Sequence, residues 1–238
     1  MCGIVGLIDL GAGAVDRDEA AHITRSMATA IQHRGPEAQG IWSGDQGRVT
    51  LGHRRLSIID LSPLGAQPMH SHSGRFSVVF NGEIYNFPEL RQILESNGVG
   101  FRGRSDTEVL LEAIEVWGLE SALDRMIGMF AFALWDNQDR RLTLVRDRFG
   151  KKPIYYGRIG HYFAFSSELH ALAEVPGYRP LLDAAAVSDV VMRGFVCGSH
   201  SIVRDIPRLP PAGIGTLDLA RGQVMPELRR YWSANEAL

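Results

Sequence analysis

The sequence is short of several features that would each have pointed to a function. Its 238 residues hold two cysteines, Cys2 and Cys197, far apart along the chain. Two lone thiols make no disulfide framework and fit a reducing, cytoplasmic setting. No apolar run approaches the roughly 18–20 residues of a membrane span, and the N-terminus lacks the basic and apolar regions of a secretory signal. No membrane association is therefore expected. Charge of one sign is also lacking. The formal net charge is −2 and there is no basic run, which removes the electrostatic case for a nucleic acid or an anionic surface. No Walker loop and no G-x-G-x-x-G follow any strand-like run, so nucleotide binding has no support. His70-Ser71-His72 has no Cys, Asp or Glu gathered around it in sequence and reads as a surface loop, not a metal site. Internal repeats and low-complexity segments are absent as well.

What is present suffices for a sizeable core. A hydrophobic fraction of 45% with 22% charged residues is ordinary for a globular chain, and the length fits one large domain or at most two small ones. Residues 3–10 read as a buried strand closed by Gly11-Ala12-Gly13. Asp16 caps a helix of about 17–32, with Ala20, Ile23, Met27 and Ile31 on one face. Short strands follow over 40–60, then a strand at Phe76–Phe80 that runs into Asn81-Gly82. Asn86 with Glu89, and Ser105 with Glu108, have the capping-box spacing of two further helices. Met129–Trp135 and Arg141–Arg146 form one hairpin, and Pro153–Tyr156 and Tyr162–Ser166 another. Ser167–Ala173 is a short helix, and 183–193 look helical. Strand, helix, strands, two helices and hairpins in that order predict an α+β fold of antiparallel sheet covered by helices, not a βαβ array.

Chemistry is concentrated in a few stretches, and each has a plainer alternative. Cys2 follows the initiator methionine directly. Trimming of Met1 would leave a residue carrying both a thiol and a free α-amine. Such an amine titrates at roughly 7.7–8.0 and a thiol at about 8.5, so one residue can supply nucleophile and base. The alternative is a buried, inert cysteine. Gly3 and Gly6 allow a backbone or ligand to come close. His53-Arg54-Arg55-Leu56-Ser57-Ile58-Ile59-Asp60 offers two guanidiniums to clamp a carboxylate, or a surface basic pair. Asn81-Gly82 is either a turn or an oxyanion hole, in which the carboxamide N–H and the next backbone N–H converge. Ser105-Asp106 is a helix cap or a carboxylate for a substrate ammonium. Arg146-Asp147-Arg148-Phe149-Gly150-Lys151-Lys152-Pro153 reads as structural ion pairing first and a contact surface second.

Taken in order, these stretches resemble a known family. Cys2-Gly3-Ile4-Val5-Gly6, His33-Arg34-Gly35-Pro36-Glu37, Arg55–Asp60, Ala66-Gln67-Pro68, Asn81-Gly82-Glu83-Ile84-Tyr85-Asn86, Ser105–Glu108, Gly128–Ala133 and Arg146–Gly150 together are similar to the N-terminal glutaminase domain of glutamine-hydrolysing asparagine synthetases, class II amidotransferases. The likeness is dense over 2–170 and thinner beyond. It implies an N-terminal-nucleophile hydrolase fold, a four-layer αββα sandwich of two antiparallel sheets between helical layers. It also implies hydrolysis of the side-chain amide of L-glutamine. By motif match, Cys2 attacks the amide carbon, and Asn81 and the Gly82 N–H hold the oxyanion. Arg55 binds the α-carboxylate and Asp106 the α-ammonium, while the backbone of Leu56, Ser57, Ile58 and Ile59, with Glu83, completes the pocket.

The same resemblance sets expectations for organisation. Residues 1–210 are the glutaminase domain and 211–238 a connector toward an ATP-dependent synthetase domain or subunit. No cofactor is expected in this chain, because ATP and Mg²⁺ belong to the synthetase part, whose Ser-Gly-Gly…Asp-Ser loop does not occur here. A homodimer is left open. Two departures stand out: Glu37 lies where Asp is common, and the chain stops just after Arg230-Tyr231-Trp232. The rival readings are a non-catalytic module on the same fold, an amidotransferase acting on another carboxylate, and an N-terminal-nucleophile amidase or protease. The last is disfavoured by a pair of residues suited to a free amino acid, Arg55 and Asp106.

Overall fold

A computed structural model describes residues 1–11, 13, 16–57 and 60–235. The first sheet has five antiparallel strands in the order β2-β3-β1-β9-β8. They are β1 (Gly3–Asp9), β2 (Ala38–Gly44), β3 (Val49–Arg55), β8 (Tyr155–Ile159) and β9 (Tyr162–Ser166). The second sheet has six, in the order β11-β10-β7-β6-β5-β4. These are β4 (Met69–His70), β5 (Phe76–Ile84), β6 (Gly128–Asp136), β7 (Arg141–Arg146), β10 (Gly213–Asp218) and β11 (Glu227–Arg230).

The strand period of two explains how the layers stack. On β1, Ile4 and Ile8 pack with Val49, Leu51, Val79, Ala133, Trp135 and Leu144 in a core between the two sheets. Val5 and Leu7 point the other way, onto α1 (Arg17–Ala30), where Ala20, Ile23, Met27 and Ala28 are buried. A strand covered on both faces reads as a near-continuous apolar run, which is why residues 3–8 show no polar alternation. On β5, Val79 faces the inter-sheet core. Val78 and Phe80 instead face a layer containing α2 (Phe87–Ser96), α3 (Asp106–Trp117) and α4 (Leu119–Arg125). The order is thus helix, sheet, sheet, helices, as expected. A fifth helix, α5 (Ala184–Arg193), follows a 3₁₀ turn at Leu169–Glu174, where a short helix over Ser167–Ala173 was expected.

Three local expectations change. Asp16 does cap α1, accepting from Asp18 N and Glu19 N. Asn86, by contrast, makes no cap bond. Its side chain accepts from Ile127 N at 2.9 Å and donates to Arg125 O at 2.9 Å, tying the start of α2 to the segment before β6. Ser105 caps α3 through Glu108 N, but Glu108 does not reach back; its carboxylate takes Arg102 N and Gly103 N. Finally, the stretch from 211 onward, expected as a connector, contributes β10 and β11 to the second sheet, with β10 paired along β7.

Candidate active site

The strand register brings the expected site residues to one end of the sandwich. Cys2 directly precedes β1. Beside it lies the end of β3, with Gly3 paired to Arg54. The thiol is held in that angle. Leu56 N–H donates to Cys2 Sγ at 3.4 Å and the thiol donates to Leu56 O at 3.5 Å. Burial pushes the Cys2 thiol above its usual range, while the Leu56 N–H pulls the other way. The backbone is pinned as well: Arg34 Nε donates to Cys2 O at 3.0 Å and Arg34 Nη1 to Glu168 Oε1 at 2.6 Å. Ile4 N donates to Ser167 Oγ at 3.0 Å. Gly6 serves packing, since a Cβ there would lie 2.2 Å from the Phe165 ring.

Asn81-Gly82 is not a turn. It lies inside β5, where Asn81 pairs with Ala131 and Gly82 with Phe130. Phe130 uses both its N–H and its C=O on Asp147. Gly82–Phe130 is therefore a non-hydrogen-bonded pair, and the Gly82 N–H points away from β6, off the strand's other edge. Phe80 and Ile84 share that orientation. Phe80 N donates to Gln67 Oε1 at 2.6 Å and Ile84 N to Asp106 Oδ2 at 3.0 Å. The Gly82 N–H lies between these two anchored donors and faces the cavity. Glycine is required there because a Cβ would come 2.4 Å from Met129 O. Asn81 is 1% exposed, and its Nδ2 has no hydrogen-bond partner among the described residues. A buried, unpaired amide donor costs about 1–3 kcal/mol, so it calls for a ligand or a function.

Cys2, Arg55, Leu56, Ser57, Asn81, Gly82, Glu83 and Asp106 all line one cavity. Ile58 and Ile59, expected to complete it, lie outside the described residues. The two arginines separate by the period of β3. Arg54 is buried and donates to Gly35 O at 2.9 Å and Gln39 Oε1 at 3.2 Å, a structural role. Arg55 faces the cavity, with Nη2 on the carbonyls of Asp60 and Ser62. Glu37, the departure noted in the sequence, accepts from Ser57 N at 2.7 Å and so tethers the loop after Arg55. Asp106 is buried at the first turn of α3, and desolvation raises its carboxyl to about 6. His53 also lines the cavity but is no base. Burial drops it to about 3, and its Nε2 lies 3.2 Å from Phe80 O.

Lys152 was not anticipated. It is 5% exposed, and its Nζ reaches the cavity wall. The charged turn before it does not work by pairing Arg146 with Asp147; both side chains instead bond to backbone. Asp147 accepts from Phe130 N, Phe149 N, Lys151 N and Lys152 N. Arg146 donates to the carbonyls of Lys152, Leu209 and Gly150. The sequence carried only a weak signal of this, namely two adjacent lysines before Pro153 in a turn rich in charge.

A glutamine amidotransferase domain family matches residues 1–232. Asparagine synthetase (glutamine-hydrolyzing) 2 of Bacillus subtilis is 37% identical over 243 residues, covering 100% of this chain and 31% of the relative. Asparagine synthetase (glutamine-hydrolyzing) 3 of the same organism is 35% identical over 192 residues, covering 80% of this chain and 30% of the relative. The chain thus spans about a third of the length of these curated relatives. Among solved structures, a glutamine phosphoribosylpyrophosphate amidotransferase from B. subtilis complexed with ADP and GMP superposes with a TM-score of 0.71 over 97% of this chain and 49% of the other, at 20% identity. That likeness establishes the shared fold.

Proposed function

The chain belongs to the glutamine amidotransferase domain family, and from that premise we propose that it hydrolyses L-glutamine to glutamate and ammonia with Cys2 as nucleophile. The observation that carries this reading is the unpartnered Asn81 Nδ2, beside an outward-turned Gly82 N–H, in the cavity lined by Cys2. Once Met1 is removed, the free α-amine takes the Sγ proton and the thiolate attacks the side-chain amide carbon. The carbonyl oxygen becomes an oxyanion between Asn81 Nδ2 and the Gly82 N–H, where prearranged donors stabilise charge at no reorganisation cost. The C–N bond then breaks, and the amine returns its proton to the departing ammonia. Water, deprotonated by the same amine, hydrolyses the thioester to glutamate and restores the thiol.

Arg55 and Asp106 take the two ends of the amino acid in this proposal. Arg55 already donates through Nη2 to two carbonyls, which fixes the guanidinium plane at the cavity wall. Arg55→Lys loses the planar fork and is expected to raise KM for glutamine at least tenfold with kcat nearly kept. Asp106 must be ionised to hold an ammonium. With its folded-state carboxyl raised to about 6, KM should rise as pH falls through that value, and Asp106→Asn should show a high KM at every pH. A KM that is flat from pH 7.5 to 5.5 in the parent protein would remove Asp106 from this role.

Ammonia protonates in bulk water at neutral pH and ceases to be a nucleophile. We infer that it passes to a synthetase part that activates a carboxylate, aspartate or another, with ATP and Mg²⁺, in the cytoplasm. This is supported by the relatives' names and greater length. Large apolar side chains left exposed, including Tyr85, Ile127 and Phe149, fit a packed neighbour. No described helix is long and apolar enough to cross a membrane. The test supplies glutamine, ATP, Mg²⁺ and aspartate to this chain with Met1 removed. Glutamate should accumulate without asparagine. Absence of glutamate would overturn the glutaminase reading, and asparagine would reveal a synthetase site in this chain.

A further inference from the structure

Lys152 is a charged group of the cavity wall whose placement is heavily built and whose use the reaction above leaves open. Its backbone is clamped on both sides, N–H to Asp147 Oδ2 at 3.0 Å and C=O to Arg146 Nε at 2.8 Å. Arg146 also reaches Leu209 O at 2.6 Å, which locks the turn to the chain leading into β10. So much buried hydrogen bonding holds a turn still, and what the turn delivers is a single ammonium. Among the described residues the only partner of Lys152 Nζ is Met1 Sδ, at 2.9 Å. A thioether is a poor acceptor, and Met1 is the residue that must leave for Cys2 to act. Trimming therefore exposes a buried cation to the new α-amine and to the thiol, in the space that Met1 filled.

We propose that Lys152 is a positioning residue for the N-terminal nucleophile: its ammonium keeps the α-amine of processed Cys2 in the neutral form that accepts the thiol proton, and favours the thiolate that results. This rests on the reading of Cys2 as nucleophile. The sign follows from like-charge repulsion, because a cation beside an amine disfavours its protonated form and a cation beside a thiol favours its anion. Burial and the nearby Arg34 already lower the affinity of Lys152 itself for its proton, while Asp147, Glu83 and the Cys2 thiolate pull it back up. The other charges around Cys2 are accounted for. Arg34 bonds to Cys2 O and is neutralised by Glu168. Arg55 faces the cavity from β3, Asp106 and Glu83 face it from the second sheet's side, and Asp60 lines it with its carboxylate taken by Ser62 N and Arg104 N. Asp147 is occupied by four backbone N–H groups, and His53 is neutral. With Arg55 assigned to the α-carboxylate and Asp106 to the α-ammonium, Lys152 is the cation left to act on the amine.

The experiment uses trimmed protein and three forms, parent, Lys152→Met and Lys152→Arg. Methionine keeps the stem and removes the charge, and burying a thioether in place of a poorly paired ammonium should leave the unfolding midpoint unchanged or higher. Two readouts are followed from pH 5.5 to 9.5: kcat/KM for glutamine, and the rate of Cys2 alkylation by iodoacetamide, traced by peptide mass. Expected is an acid limb displaced by about one pH unit to higher pH in Lys152→Met, in both readouts, with rates converging above the limb and the Lys152→Arg profile close to the parent's. Superimposable profiles for Lys152→Met and parent would overturn the proposal. So would equal, pH-independent losses in Lys152→Met and Lys152→Arg, which would make Lys152 a packing residue. If the parent released no glutamate, the glutaminase reading would fail, while the alkylation profile would still decide what Lys152 does to Cys2.

Discussion

Replacing Cys2 by alanine is expected to abolish glutamate release, with kcat falling on the order of 10⁴-fold or more, the scale on which nucleophile removal acts elsewhere. The fold should persist. Cys2 is half-buried, and among the described residues its Sγ makes two long hydrogen bonds, both to Leu56, so the change in unfolding free energy should stay within about 1 kcal/mol. The companion experiment keeps the thiol and blocks the amine. A form that retains Met1 turns the Cys2 nitrogen into an amide, which is not basic. Met1 also lines the cavity, with its Sδ against Lys152 Nζ. That form should be as inactive as Cys2→Ala, and intact mass identifies it. Full glutaminase activity in Cys2→Ala would sink the assignment of the nucleophile. Full activity with Met1 retained would leave the thiol in place but remove the amine as base.

Asn81→Ala carries the second large effect. Loss of one preformed oxyanion donor lowers kcat by roughly 10²–10³, about 2.7–4 kcal/mol. KM should change little, because the interaction strengthens mainly in the tetrahedral state. The structure adds a stability signature. Asn81 Nδ2 is buried without a partner among the described residues, so the substitution gives up no hydrogen bond from that atom and the protein should be no less stable, unlike the usual buried-to-alanine change. A steep rise in KM at constant kcat would make Asn81 a ground-state contact instead. A clear loss of stability would mean that the amide is satisfied in the free protein and is not held ready for an oxyanion.

These two residues differ in how far the sequence reveals them. Cys2 is legible because its chemistry depends on chain position: a thiol at the second residue, followed by an apolar strand. Asn81 is legible only in part. As a dipeptide, Asn-Gly favours a turn, yet it sits inside β5 because the flanking residues pair in register with β6 from Phe76 to Ile84. Pairing along a whole strand outweighs a local preference worth about 1 kcal/mol. Asn86 failed as a cap for a related reason. Its side chain had a choice between the first turn of its own helix and the 125–127 backbone, and the passage of the chain from the end of α4 into β6 brought the latter within reach.

By itself the sequence determined that residues 3–10 form a buried strand, the inward face of α1, the caps at Asp16 and Ser105, and the residue types of the candidate site. These follow from period, composition and short-range bonding, all of which act within a few residues. Tertiary structure decided everything that depends on direction across the chain. It separated Arg55 from Arg54, turned the Gly82 N–H off the sheet edge, left Asn81 Nδ2 without a partner, and drew residues 213–218 onto β7 as a strand. It also swung Lys152 from a charged turn to Met1 Sδ. The physical reason is that a side chain's aim is set by what packs and bonds around it. At this site those partners, Leu56 for Cys2, Asp106 for Ile84 and Leu209 for Arg146, come from distant parts of the chain.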